Sequence, residues 1–227
     1  MRYKWLFFIG WCLSACADSE VPLDTDRLGL HYFPLEVGSY RIYDVVETKY
    51  SVLGNTTTQY ELKESVADSS LNASNNLQYI IHRSTRTNDT EDWHLDSVWT
   101  AQKSTNIAVL TENNVPFVKL SFPIANKVTW DGNALNSLET ENYWYDTERP
   151  DTTLYDTLYQ HLVKVIQNDK GDDFLGFEYK SETFAPNVGM IIKESSIKKY
   201  CQLDCKTEKQ VDSGRDLAMT LKAYGKE

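Results

Sequence analysis

The sequence is poor in the residues on which most recognisable chemistry depends. Histidine occurs four times in 227 residues, at His31, His82, His94 and His161. No His-Glu-x-x-His zinc helix, Gly-x-Ser-x-Gly elbow, phosphate-binding glycine loop or dinucleotide fingerprint can be found. No metal site and no cofactor is therefore expected. With 10 Gly and 6 Pro the chain is neither collagen-like nor a linker. No apolar run reaches the roughly 18 residues that a spanning helix needs. Positive charge is also in deficit: 23 Lys and Arg stand against 33 Asp and Glu, a formal net charge of −10. Such a surface repels phosphate backbones, which excludes nucleic acid as a natural partner, and it cannot hold anionic lipid electrostatically.

What is present is enough apolar residue (41%) to bury a real core, and an unusual first segment. Arg2 and Lys4 are followed by a short apolar stretch from Trp5 to Leu13, the pattern of a secretion signal. It ends in Leu13-Ser14-Ala15-Cys16. This tetrad resembles the lipobox of bacterial lipoproteins. The resemblance implies cleavage before Cys16, a diacylglyceryl group on its thiol and an acylated new amino terminus, since several chains together anchor firmly where one does not. Residue 17 is Ala rather than Asp, which in that family implies the outer membrane, with the domain facing the periplasm or the surface. The expected organisation is a signal peptide over 1–15, a lipidated Cys16 with a flexible tether to residue 30, and a single all-β domain over 31–227.

From Val37 onward alternating apolar and polar residues rich in β-formers replace any 3.6-residue period. The reading is an antiparallel meander of about 9–11 strands, forming a strongly curved sheet, half-barrel or sandwich. Leu175, Phe177 and Tyr179 read as one core face, and Leu217, Met219 and Leu221 as another. A hairpin over residues 77–101, turning at Asn88-Asp89-Thr90, would set His82 opposite Asp96. Those two are the nearest approach to an acid/base pair, or else surface polars. The phrase Tyr32-Phe33-Pro34-Leu35, with Trp130-Asp131-Gly132-Asn133 and Asn187-Val188-Gly189-Met190, resembles uncharacterised secreted all-β lipoproteins of Gram-negative bacteria. That resemblance implies a fold and supplies no catalytic residue.

Cys201 and Cys205 are expected to form a disulfide in an exported, oxidising compartment; free thiols or a metal site are the alternatives. Trp130, Tyr143, Trp144 and Tyr145 are candidate ligand-binding aromatics that otherwise cap the core. Three function classes remain: a non-enzymatic binding or assembly module, with a lipid, other apolar ligand or glycan as its ligand; a glycan hydrolase working through two carboxylates; and a subunit of a surface glycan-binding complex. No protein partner can be named. The anchor is directly testable. Intact-mass analysis of the chain from its host is expected to show Cys16 as the first residue, carrying thioether-linked and amide-linked acyl groups. Cys16→Ser is expected to abolish both the added mass and sedimentation with membranes.

Overall fold

The computed structural model describes residues 24–227, so the signal segment and Cys16 lie outside the described residues. The chain opens with a four-residue helix α1 (Thr25–Leu28), capped by the Asp24 carboxylate, and a 3-10 turn over Leu30–Tyr32. Residues 24–30, expected to be tether, are therefore already part of the folded body. Gly29, at φ 82°, lies so close to Ile124 that a Cβ would sit 3.0 Å from its side chain.

Fourteen strands follow: β1 (Ser39–Ser51), β2 (Thr56–Leu71), β3 (Leu77–Arg86), β4 (His94–Lys103), β5 (Ile107–Glu112), β6 (Val115–Ser121), β7 (Thr129–Asp131), β8 (Asn142–Asp146), β9 (Thr152–Leu154), β10 (Thr157–Tyr159), β11 (Val163–Asp172), β12 (Gly176–Ala185), β13 (Gly189–Tyr200) and β14 (Val211–Lys226). All but β9 and β10 belong to one antiparallel sheet in the order β6-β5-β4-β3-β2-β1-β14-β13-β12-β11-β8-β7. The all-β curved architecture read from the sequence is the one observed. Its strand count exceeds the expected 9–11 because of three short strands, β7, β9 and β10. Tyr155 and Asp156 both take positive φ, forming the tight turn of a separate β9–β10 hairpin, and His161, also at positive φ, breaks the chain before β11. His161 is thus a turn residue.

The sheet curls until its two end strands meet. The Val118 amide of β6 donates to the Gly132 carbonyl just after β7 (2.9 Å), and the Trp130 indole N–H donates to the Val118 carbonyl (2.9 Å). The Tyr145 hydroxyl accepts from the Ser121 amide (2.8 Å) and donates to the Ser121 carbonyl (2.7 Å). Gly132 is required there, because a Cβ would lie 2.2 Å from the Tyr143 ring. Closure satisfies backbone groups that would otherwise template aggregation. Pro116, which has no amide to donate, occurs in the terminal strand β6, where such a residue is tolerated.

A barrel of about eight strands is just filled by its own side chains; twelve enclose more. One end is occupied by residues 28–36. Leu30, Tyr32 and Phe33 pack on the cluster of Leu120, Tyr145, Val165 and Phe184, while Phe33 and Leu35 pack on Val66, Ile81, Trp99 and Ala101. The Lys103 ammonium donates to the Leu30 and Phe33 carbonyls (3.0 and 2.8 Å), and the Tyr32 hydroxyl donates to the His161 carbonyl (2.6 Å). Because β1 starts at this plugged end and neighbours are antiparallel, the turns after β1, β3, β5, β11 and β13 gather at the other, open end.

The seam makes a prediction. Tyr145→Phe removes both bonds to Ser121 and is expected to cost about 1–3 kcal/mol, read as a lower urea midpoint with an unchanged m-value. A change below a few tenths of a kcal/mol would mean the seam does not hold the barrel shut.

Candidate functional site: the barrel lumen

The inward-facing positions change character along the barrel axis. Near the plug they are apolar. Halfway up, on β6, β12 and β13, they are charged. Lys119 and Glu182 are 5% and 1% exposed, with Lys119 Nζ 2.6 Å from Glu182 Oε1. Lys193 Nζ lies 2.9 Å from the same oxygen, and Glu112 Oε1 lies 3.2 Å from Lys119. Arg83 bonds Glu64 through Nε (3.0 Å) and lays its guanidinium over the Trp99 ring, 3.7 Å from the centroid. The register produces these neighbours: Glu64 pairs with Arg83 across β2 and β3, and Glu182 with Lys193 across β12 and β13.

Burial tends to raise the Glu182 carboxyl, but Lys119 and Lys193 outweigh it and hold it down to about 2. Burial likewise opposes Lys119, yet Glu182 and Glu112 raise it above the usual ammonium range, so both members of the pair stay charged. Glu112 is lowered in the same way, Lys119 overcoming its desolvation. Burial and the nearby carboxylates push the Tyr143 hydroxyl up despite Lys119.

This belt of ion pairs separates two spaces. Beneath it, against Phe33, Pro34 and Leu35, lies an apolar pocket of about 60 Å³. Above it a chamber of about 380 Å³ runs towards the open end, walled by Trp99, Phe117 and Tyr143 and by the charged heads of Lys180, Lys193 and Arg215. Every cation of that wall has a carboxylate partner: Lys180 meets Glu141 (3.2 Å) and Arg215 meets Glu47 (2.7 Å). Two polar atoms have none. The buried Gln167 Nε2 and Glu182 Oε2 make no hydrogen bond. Gln167 lines the chamber and Glu182 the pocket below.

The residues singled out from sequence fall out differently. His82 faces Val98, not Asp96; Arg83 pairs with Ser97 and Ser84 with Leu95, leaving Asp96 unpaired in a bulge. The turn is also longer than Asn88-Asp89-Thr90, as β4 begins only at His94. The bulge carries Leu95 to the outside. Trp130, Tyr143 and Tyr145 come together at the seam, with Trp130 4.5 Å from Tyr145 and 6.0 Å from Tyr143, centroid to centroid. Of these, only Tyr143 lines the chamber. Trp144 points the other way, into a shallow groove with Leu138 and Asn168. Cys201 and Cys205 form a disulfide, with Cα atoms 5.7 Å apart, in the β13–β14 turn. That turn runs from residue 201 to 210, so the bridge closes only its first half. Among the described residues no group of three or more His, Cys, Asp or Glu could hold a metal ion, and no helix is long and apolar enough to cross a membrane.

No family model matches the chain, and no curated protein matches it. Two solved structures are similar. One is a Bacteroides fragilis protein described as exported, with a YmcC-like fold: 12% identity, TM-score 0.47, covering 86% of this chain and 98% of that one. The other is a Parabacteroides distasonis protein described as a lipoprotein: 12% identity, TM-score 0.40, with the same coverage. Likeness at this level assigns no role to any residue here.

The belt predicts an acid limb of stability. Glu182 titrates near about 2 in the fold and near 4.5 unperturbed, so the unfolded chain binds more protons between those values. Its stabilisation is complete above about 4.5 and lost as pH falls towards about 2. Glu182→Gln leaves Lys119 with Glu112 alone and Lys193 with no carboxylate, and is expected to cost about 3 kcal/mol at pH 7. Urea unfolding from pH 7 to 2.5 checks both, since the variant is expected to lose much of the acid dependence.

Proposed function

We propose that this chain is a cell-envelope lipoprotein, held to the outer membrane through Cys16, whose barrel is a binding module with its site in the lumen above the Lys119–Glu182 belt. The observation that carries the reading is the chamber itself. It is plugged at one end by residues 28–36, open towards the other, and walled by side chains that ion pairs already hold in place. Preorganised polar groups beside aromatic faces are what a small-ligand site needs, and about 380 Å³ falls within the usual range of roughly 300–1,000 Å³.

Two features turn the reading away from its alternatives. A lipid or other wholly apolar ligand would need a large apolar space, and the apolar pocket measures about 60 Å³. A two-carboxylate hydrolase needs one carboxyl raised enough to act as general acid. Glu112 and Glu182, the two carboxylates on Lys119, are both lowered instead.

Native mass spectrometry of the full chain, extracted from its host in mild detergent, tests the module. A small molecule bound one to one and lost on denaturation is the expected result. A chain that carries nothing, and gains nothing when returned to its host's soluble envelope extract, would overturn the reading.

A further inference from the structure

The wall of the chamber narrows the chemistry of its ligand, an inference that rests on the lumen being a binding site. Charge is the first constraint. Arg83, Lys119, Lys180, Lys193 and Arg215 face carboxylates Glu64, Glu112, Glu141, Glu182 and Glu47 at 2.6–3.2 Å. Paired cations exert little net field on a bare anion, and an anion would also meet the partner carboxylates. Charged groups held in ion pairs do keep unused donors and acceptors at their outer edges. The Arg83 guanidinium, for example, spends Nε on Glu64 and lies over the Trp99 ring at the chamber wall.

The second constraint is hydrogen-bond capacity. A buried polar atom without a partner costs about 1–3 kcal/mol, so native interiors rarely retain one without reason. Among the described residues four such side-chain atoms occur, His31 Nδ1, Ser97 Oγ, Gln167 Nε2 and Glu182 Oε2, and two of opposite kind belong to residues that line the lumen: Gln167 Nε2 can only donate and the ionised Glu182 Oε2 can only accept. Gln167 is the unpaired residue where the β11–β12 register shifts, between Ile166 opposite Ser181 and Asn168 opposite Lys180, and it borders both the chamber and the groove that holds Trp144. A hydroxyl both donates and accepts. A ligand bearing several of them satisfies such a wall, whereas an apolar chain satisfies none of it, a carboxylate offers acceptors alone, and a phosphate adds charge that the partner carboxylates repel. The third constraint is the aromatic surface of Trp99, Phe117 and Tyr143 among these polar groups, which suits a ring with apolar C–H faces and polar edges.

We infer that the chamber binds a neutral polyhydroxylated ring compound, a monosaccharide or disaccharide unit. Gln167 donates to one of its hydroxyls, Tyr143 and Trp99 flank its C–H faces, and the paired heads of Lys193, Lys180 and Glu141 meet its outer hydroxyls. The small pocket below the belt takes a hydroxyl or a water against Glu182 Oε2.

The test is titration of the ¹⁵N-labelled full chain in detergent, followed by the Trp99 indole N–H, which is bonded to Asn113 Oδ1 beside the chamber (3.3 Å). The probes are D-glucose, D-galactose, N-acetyl-D-glucosamine and maltose, with inorganic phosphate and oleate as contrasts. At least one sugar is expected to shift the Trp99 signal saturably at millimolar concentration or below, and phosphate and oleate are not. Gln167→Leu is expected to weaken that binding about tenfold or more while leaving the urea midpoint unchanged or raised, because it removes an unpartnered amide. Tyr143→Phe, which keeps the ring, is expected to bind nearly as well as the parent. Saturable shifts from phosphate or oleate and from no sugar would overturn this inference and leave the lumen as a binding site. Shifts from no probe, with nothing released from the native chain, would overturn both.

Discussion

The fold depends on one constraint: two lysines and two glutamates must remain charged inside a β-barrel. Lys119 and Glu182 come from strands far apart in sequence, and neither can be taken out of water alone without several kcal/mol of penalty. Each makes the other tolerable, and Lys193 and Glu112 complete the set. The curl that brings β6 over β12 buries them together, and only their pairing makes that closed shape tolerable; the apolar clusters and the seam bonds hold it shut.

Closure has consequences at both ends of the axis. A twelve-stranded ring is too wide for its own side chains to fill, so residues 28–36 fold back as a plug, pinned by Lys103. Burial lowers the ammonium of Lys103, which lies against two carbonyls and no carboxylate. At the other end nothing of the described chain fills the ring, and the chamber results. The hairpin tips around that rim are apolar and exposed, Leu53 at 96%, Phe174 at 80% and Leu203 at 82%.

Much of the fold was legible because alternation is a local property. Leu217, Met219 and Leu221 do face the core, and the all-β antiparallel reading from Val37 onward holds. Three things were not legible, for one reason each. The bulge at Asp96 shifts register by a residue, which inverts a face, and no local pattern announces it. The short strand β7 is three residues paired to β8, too brief to leave a periodic pattern. On β12 the alternation was read with its faces exchanged: Phe177 and Tyr179 lie outside under Lys198 and Lys164, while Glu182 points inward. A strand lining a charged lumen shows the same alternation as one lining an apolar core, with the signs reversed. Pattern alone does not say which face is inside, so the belt and the chamber above it were invisible to the sequence.

The ionisation of Glu182 is where the account is most exposed. Carboxyl ¹³C NMR of the Glu-labelled chain, followed from pH 7 downwards while the protein stays folded, resolves its titration from that of the surface glutamates. The account predicts a carboxylate that remains ionised after the exposed residues have protonated, with a midpoint near about 2. Protonation at about 4.5 or above, together with the surface groups, would mean that the belt is not an ion-paired interior, and the lumen built upon it would have to be abandoned.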